Sequence, residues 1–263
     1  MSREGNPYDN AISESFFRTL NRGHNPIVAE RPMYFNYKGV WTGGHVAMGA
    51  AAPNTTWYFA EGTTQAGFET WLCMQNPGTK TANVKASFMP MGGKVVEKTI
   101  TIAPNSRYTY SVNTALGPNV DASTMLTSDQ PIVAERPMYF NYHGTWTGGH
   151  DVMGANQPKK TWYLAEGTTR TGYDEWLCIQ NPGTSDVEVT ITYMLASGLP
   201  KTQVVKVAKQ TRYTVSVNDA VGPNQDVSVK ITAPSPVIVE RPMYFKTADG
   251  ITGGHVVMGF GVN

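Results

Sequence analysis

Cysteine is almost missing from this sequence, with two in 263 residues, Cys73 and Cys178. They lie 105 positions apart in matching Trp-Leu-Cys contexts, so they cannot bridge within one unit and are expected to be buried thiols. No apolar run approaches the roughly 20 residues that span a bilayer. The first twenty residues also lack the basic-then-apolar order of an export signal, so no export address is expected in them. Charge is sparse and balanced, with 21 basic against 20 acidic residues. The absence of a basic stripe argues against a nucleic-acid partner. One histidine recurs per unit, where a structural zinc site needs about four ligands, so neither a metal nor another cofactor is expected. No nucleophile elbow or comparable local signal marks a hydrolase, and the chain reads as a non-enzyme. What is abundant is 26 Gly, 17 Pro, 13 Tyr and 6 Trp, the composition of short strands joined by tight turns.

Pro-Ile-Val-Ala-Glu-Arg-Pro-Met-Tyr-Phe-Asn-Tyr stands at 26–37, recurs unchanged at 131–142 and returns altered at 236–245, always 105 residues further on. A spacing without drift means one unit repeated without insertion, so residues must be judged as members of equivalent sets. Alternating segments such as Lys94 to Ile102 and Val187 to Tyr193 predict half-buried antiparallel strands. Eight are expected per unit, near 57–62, 69–75, 82–89, 94–103, 107–112, 121–127, 131–140 and 145–153, with turns at Asn76-Pro77-Gly78 and Gly117-Pro118-Asn119. The expected fold class is all-β, tandem immunoglobulin-like antiparallel β-sandwiches with a short N-terminal helix. The expected division is 1–24 as a separate short helix, 25–50 as the two closing strands of a preceding unit, and sandwiches over 55–155 and 160–263. Strands 25–50 would then carry unpaired edges and offer a route to self-association.

Three polar sets recur. Glu30-Arg31, Glu135-Arg136 and Glu240-Arg241 precede a strand proline, and Arg107 and Arg212 recur in Arg-Tyr-Thr. These are read as structural ion-pair or register positions. Alternatively, a Glu beside aromatic rings can hold sugar hydroxyls while a ring stacks on the sugar. The positions for that contact, with a cell-surface glycan or protein, are Glu61, Phe68, Glu69, Trp71, Glu166, Tyr173, Glu175 and Trp176. Trp41 and Trp146 match Ile251, so that position is read as packing.

Asn-Pro-Gly at 76–78, Ser-Arg-Tyr at 106–108 and Ser-Asp-Gln-Pro-Ile-Val-Ala-Glu-Arg at 128–136 resemble the tandem immunoglobulin-like repeats of secreted and surface-attached bacterial proteins. That likeness spans about residues 25–263 and implies an extracellular or cell-surface spacer, adhesion or matrix role. Met1 to Leu20, with Tyr-Asp-Asn-Ala and Glu-Ser-Phe, resembles the end of the catalytic core of insertion-sequence transposases of the retroviral-integrase class. The family's third metal-binding carboxylate maps onto Glu14, its two aspartate partners have no counterpart, and no transposase activity is expected. An insertion element landing in a longer repeat gene would account for this juxtaposition.

Overall fold

The computed structural model describes residues 28–263, so the helix expected over 1–24 lies outside the described residues. A hairpin comes first, β1 (Glu30–Tyr37) and β2 (Trp41–Met48). Unit 1 follows with β3 (Asn54–Phe59), β4 (Phe68–Asn76), β5 (Ala82–Pro90), β6 (Val96–Ile102), β7 (Ser106–Ser111), the turn of helix α1 (Val112–Leu116), β8 (Ala122–Tyr142) and β9 (Trp146–Met153). Unit 2 repeats the series as β10 (Lys159–Leu164), β11 (Tyr173–Asn181), β12 (Val187–Leu195), β13 (Lys201–Val207), β14 (Thr211–Ser216), α2 (Val217–Val221), β15 (Val227–Lys246), β16 (Thr252–Met258) and β17 (Phe260–Val262). The chain is an all-β sandwich protein with antiparallel pairing throughout.

One long strand builds both layers of each unit. The first part of β8 pairs with β5 and β3, and its second part pairs with β4 and β9. Between these parts the register on β3 jumps from Thr127 to Ile132. The two strands expected at 121–127 and 131–140 are therefore one bulged strand that changes sheets. Asp129-Gln130-Pro131 reads as a break in sequence, yet proline is accommodated where the ladder is already interrupted. The strand expected at 107–112 ends in α1 instead, where the Ser111 hydroxyl accepts from Thr114 N–H and Gly117 closes the turn at φ 75°.

Each unit has its own core. In unit 1, Trp57, Phe59, Leu72, Phe88, Leu126 and Ile132 interlock between the layers. The indole N–H of Trp57 donates to the Ile132 carbonyl at 2.9 Å, and Trp162 repeats this with Val237. That bond anchors the first strand to the sheet-changing point of the long one.

The final hairpin of each unit packs on the next. β2 and β9, and β9 and β16, meet through Gly43-Gly44, Gly148-Gly149 and Gly253-Gly254. A Cβ on Gly148 would lie 2.6 Å from Phe140 Cζ and 3.3 Å from the Gly253 Cα, so only glycine admits this approach. Residues 30–48 thus form a complete hairpin whose two strands pair through Tyr37 and Trp41. Among the described residues β1 pairs with β2 alone, whereas its counterparts in β8 and β15 also pair with β4 and β11.

Candidate functional site: a buried junction between the units

The recurring charged residues converge where unit 1 meets unit 2. Successive residues of a strand point to opposite faces, so Glu240 and Arg241 cannot pair with each other. Glu240 instead accepts from Arg136 Nη1 at 2.6 Å, across 104 residues, and both side chains are buried. The same Arg136 nitrogen donates to the Glu61 carbonyl at 2.6 Å, and the Glu61 N–H donates to Glu240 at 2.7 Å.

A second knot lies beside the first. Arg212 donates from Nη2 to the Glu61 carboxylate at 2.9 Å and from Nη1 to the Gly62 carbonyl at 2.7 Å. The Cys178 thiol donates to the same carboxylate at 2.6 Å. Strand register explains the grouping, since Cys178 lies opposite Thr214 on β14 and Glu240 on β15. The Ala-Glu-Gly loop of unit 1 is therefore gripped by three strands of unit 2. Around it, Gln180 donates to the Thr124 carbonyl and Thr211 to the Pro90 carbonyl.

Burial sets the protonation chemistry. The Cys178 thiol is pushed well above its ordinary range by desolvation, which keeps it a neutral donor. Desolvation also raises Glu240, opposed by Arg136. His150 is fully enclosed and lies well below the ordinary imidazole range, chiefly through burial, with Arg136 adding to the effect. The junction is thus a set of fixed charges and dipoles held away from water. Breaking such a buried pair costs about 3–5 kcal/mol, while its net contribution relative to apolar residues is small.

Aromatic rings extend the contact. Tyr142 stacks on Tyr244 at 4.4 Å between centroids, and His143 reaches Asp174 at 3.0 Å. The first hairpin repeats this against unit 1, with Tyr37 stacked on Tyr139 at 4.0 Å, Lys38 bonded to Glu69, and Arg31 donating to Glu135 at 3.0 Å. Burial and the neighbouring Asp151 raise Glu135 to about 7, against the opposing pull of Arg31. Burial and Arg31 lower His45 to about 4.

The predicted positions divide accordingly. Arg31, Glu135, Arg136, Arg212, Glu240 and Arg241 form ion pairs, and the pairs between β1, unit 1 and unit 2 tie one element to the next. Arg107 instead points to the Cys73 sulfur at 3.3 Å on the face of unit 1 that the first hairpin covers in part, and Glu30 is exposed at the start of β1.

Of the proposed glycan positions, Glu61 lies inside the junction, Phe68 packs edge-on to Tyr244 and Tyr142, and Glu69 holds Tyr37 and Lys38. Trp71 and Trp176 are half-buried on equivalent strands. Glu166 and Tyr173 line an open cavity of about 620 Å³ at the far end of unit 2. Glu175 is buried beneath it, raised by desolvation to about 8 against the opposing pull of Arg241 and of the Thr168 backbone N–H. Its counterpart in unit 1 is Thr70, whose hydroxyl donates to the Thr63 carbonyl at 2.6 Å. The sequence reading passed over the stacked tyrosines and paired glycines, although the unvarying Thr-Gly-Gly-His was their signal.

The model of a family of unknown function, DUF5719, matches residues 41–238. No curated protein matches the chain. Among solved structures, Thermotoga maritima 1070 is similar at 17% identity and a TM-score of 0.38, over 40% of this chain and 97% of that one. The Anabaena sensory rhodopsin transducer is similar at 18% identity and a TM-score of 0.30, over 34% of this chain and 91% of that one.

Proposed function

We propose, for a chain that belongs to the DUF5719 family of unknown function, a structural and non-enzymatic role as a spacer of stacked sandwich units. The observation that carries this reading is the buried knot of Glu61, Arg136, Arg212 and Glu240, which spends the recurring charged residues on joining one unit to the next. Continuity through paired glycines and stacked tyrosines makes the connection stiff, in contrast to sandwiches strung on flexible Ala/Pro linkers. Placement at the cell surface or outside the cell, and the immunoglobulin-like character of the units, follow from the resemblance to surface repeats. The transposase-like residues 1–24 lie outside both the described and the matched residues and have no part in this reading.

Small-angle X-ray scattering tests the proposal. A stiff spacer gives one maximum dimension at low and high salt, and Glu240→Ala broadens the distribution of distances. Wild-type scattering of two independently moving bodies would overturn it. A glycan-contact reading retains Trp71, Trp176, Glu166 and Tyr173, whose rings or carboxylate reach the surface. Calorimetric titration with surface polysaccharides, lost in Trp71→Ala and Trp176→Ala, is its test.

A further inference from the structure

The junction is heterologous, one face of unit 1 against a different face of unit 2; among the described residues the donating face of unit 2 is uncovered, and the receiving face of unit 1 is covered only in part, by β1 and β2. Such a contact generates open, head-to-tail assemblies when the two faces belong to different copies. At the start of unit 1, Cys73, Arg107, Thr109 and Glu135 stand where Cys178, Arg212, Thr214 and Glu240 stand in the junction. Their strand register is the same, with Cys73 opposite Thr109 on β7 and Glu135 on β8. This receiving face is therefore already built.

The donating face at the end of unit 2 is open. Glu166, the counterpart of Glu61, is exposed and held from its own unit by Arg241 at 2.9 Å, with His255 at 3.8 Å. The surrounding cavity is lined by Gly167, Met194, Leu195 and Ser228. Their counterparts Met89 and Ser123 are covered in unit 1, whereas Met194 is 40% exposed. Beneath the cavity the Glu175 carboxylate is fully buried, and among the described residues no side chain bonds to it.

We infer that the end of unit 2 docks onto the start of unit 1 in a second copy of this chain, with Glu166 entering the Cys73 and Arg107 site as Glu61 enters that of Cys178 and Arg212. The inference rests on the junction and extends the spacer reading from one chain to a line of chains. Docking has a cost, because the seat for the incoming hairpin is held by β1 and β2 of the receiving copy. Arg31 there occupies the position that the incoming Arg241 needs beside Glu135. Docking is thus an exchange of one hairpin for its equivalent. The incoming hairpin is the weaker holder at its tip, with Thr247, Ala248 and Ile251 where Tyr142, His143 and Trp146 stand in unit 1. Association is accordingly concentration-dependent, and it rises when β1 and β2 are loosened.

Glu166→Cys in the full chain tests this with a short bis-maleimide linker, since the 2.6 Å contact of Cys178 with the Glu61 carboxylate places position 166 within one long side chain of Cys73 of the neighbour, too far for a direct disulfide. Position 166 is exposed, and unchanged thermal unfolding confirms the fold. With the bis-maleimide the expected result is covalent dimers and longer species with 166–73 as the mapped cross-link. Adding Arg31→Ala is expected to accelerate their formation about tenfold, the factor that corresponds to about 1.4 kcal/mol of loosened seat. No covalent species, or species joined only through Cys73 to Cys73, would overturn the docking. An unchanged rate with Arg31→Ala would overturn the exchange. Either failure leaves the single-chain spacer untouched, because the internal junction is read separately by scattering.

Discussion

Cys178 and Cys73 occupy the same place in two units and differ only in what covers them. The first is sealed under the Glu61 loop beside Arg212, while the second is partly exposed beside Arg107 on a face that the first hairpin covers only in part. The same contrast separates Glu61, buried, from Glu166, exposed, and Glu240, fully buried, from Glu135. Identical residues thus take on different energetics according to whether a neighbour has arrived. The lesson is that in a repeat chain the unit of stability is the interface as much as the module.

The comparison breaks most sharply at Glu240. Glu240→Ala strands the Arg136 charge in a dry site and is expected to lower unfolding free energy by about 3–5 kcal/mol. Glu30→Ala, at the equivalent exposed position, should change it by less than about 0.5 kcal/mol in the same denaturant titrations.

Glu175 sharpens the contrast through pH. Its ordinary carboxyl pKa of 4.5 is raised by burial to about 8 in the folded chain, so its stabilising contribution is complete below pH 4.5 and is lost as pH rises through about 8. Glu175→Thr, which installs the residue that unit 1 has at Thr70, should therefore flatten the fall in stability across that window. The slope removed is at most about 1.4 kcal/mol per pH unit, read from melts at several pH values.

Gly148→Ala drives a methyl group into Phe140 and toward the Gly253 backbone, and about 1–3 kcal/mol of destabilisation is expected by calorimetry. The smallest effect is reserved for the open end. In dilute solution Glu166→Ala should cost about 1 kcal/mol or less, since the carboxylate is exposed and the buried Arg241 keeps His255 as a partner, whereas Glu61→Ala should cost several times as much.

The sequence made the strands legible because their alternation and turn residues are local. Lys94 to Ile102 encloses β6, and Asn76-Pro77-Gly78 ends β4, as read from residues alone. It hid the continuity of β8, because Pro131 signals a stop that only the sheet-changing bulge cancels. The ion-pair role of Glu135, Arg136 and Glu240 was also legible, since charged residues repeated beside a strand proline need partners. The identity of those partners was not, because each lies about one repeat away and depends on how two finished units dock. Glu61 illustrates the limit, a polar loop residue in sequence whose burial is created wholly by the next unit.

Cys178 gives the junction a clock of its own. A thiol so enclosed reacts with a maleimide only when the two units part, so its labelling rate under native conditions counts those partings over time. Cys73 in the same molecule supplies the reference rate of a less covered thiol, and the ratio of the two measures how rarely the neighbours separate.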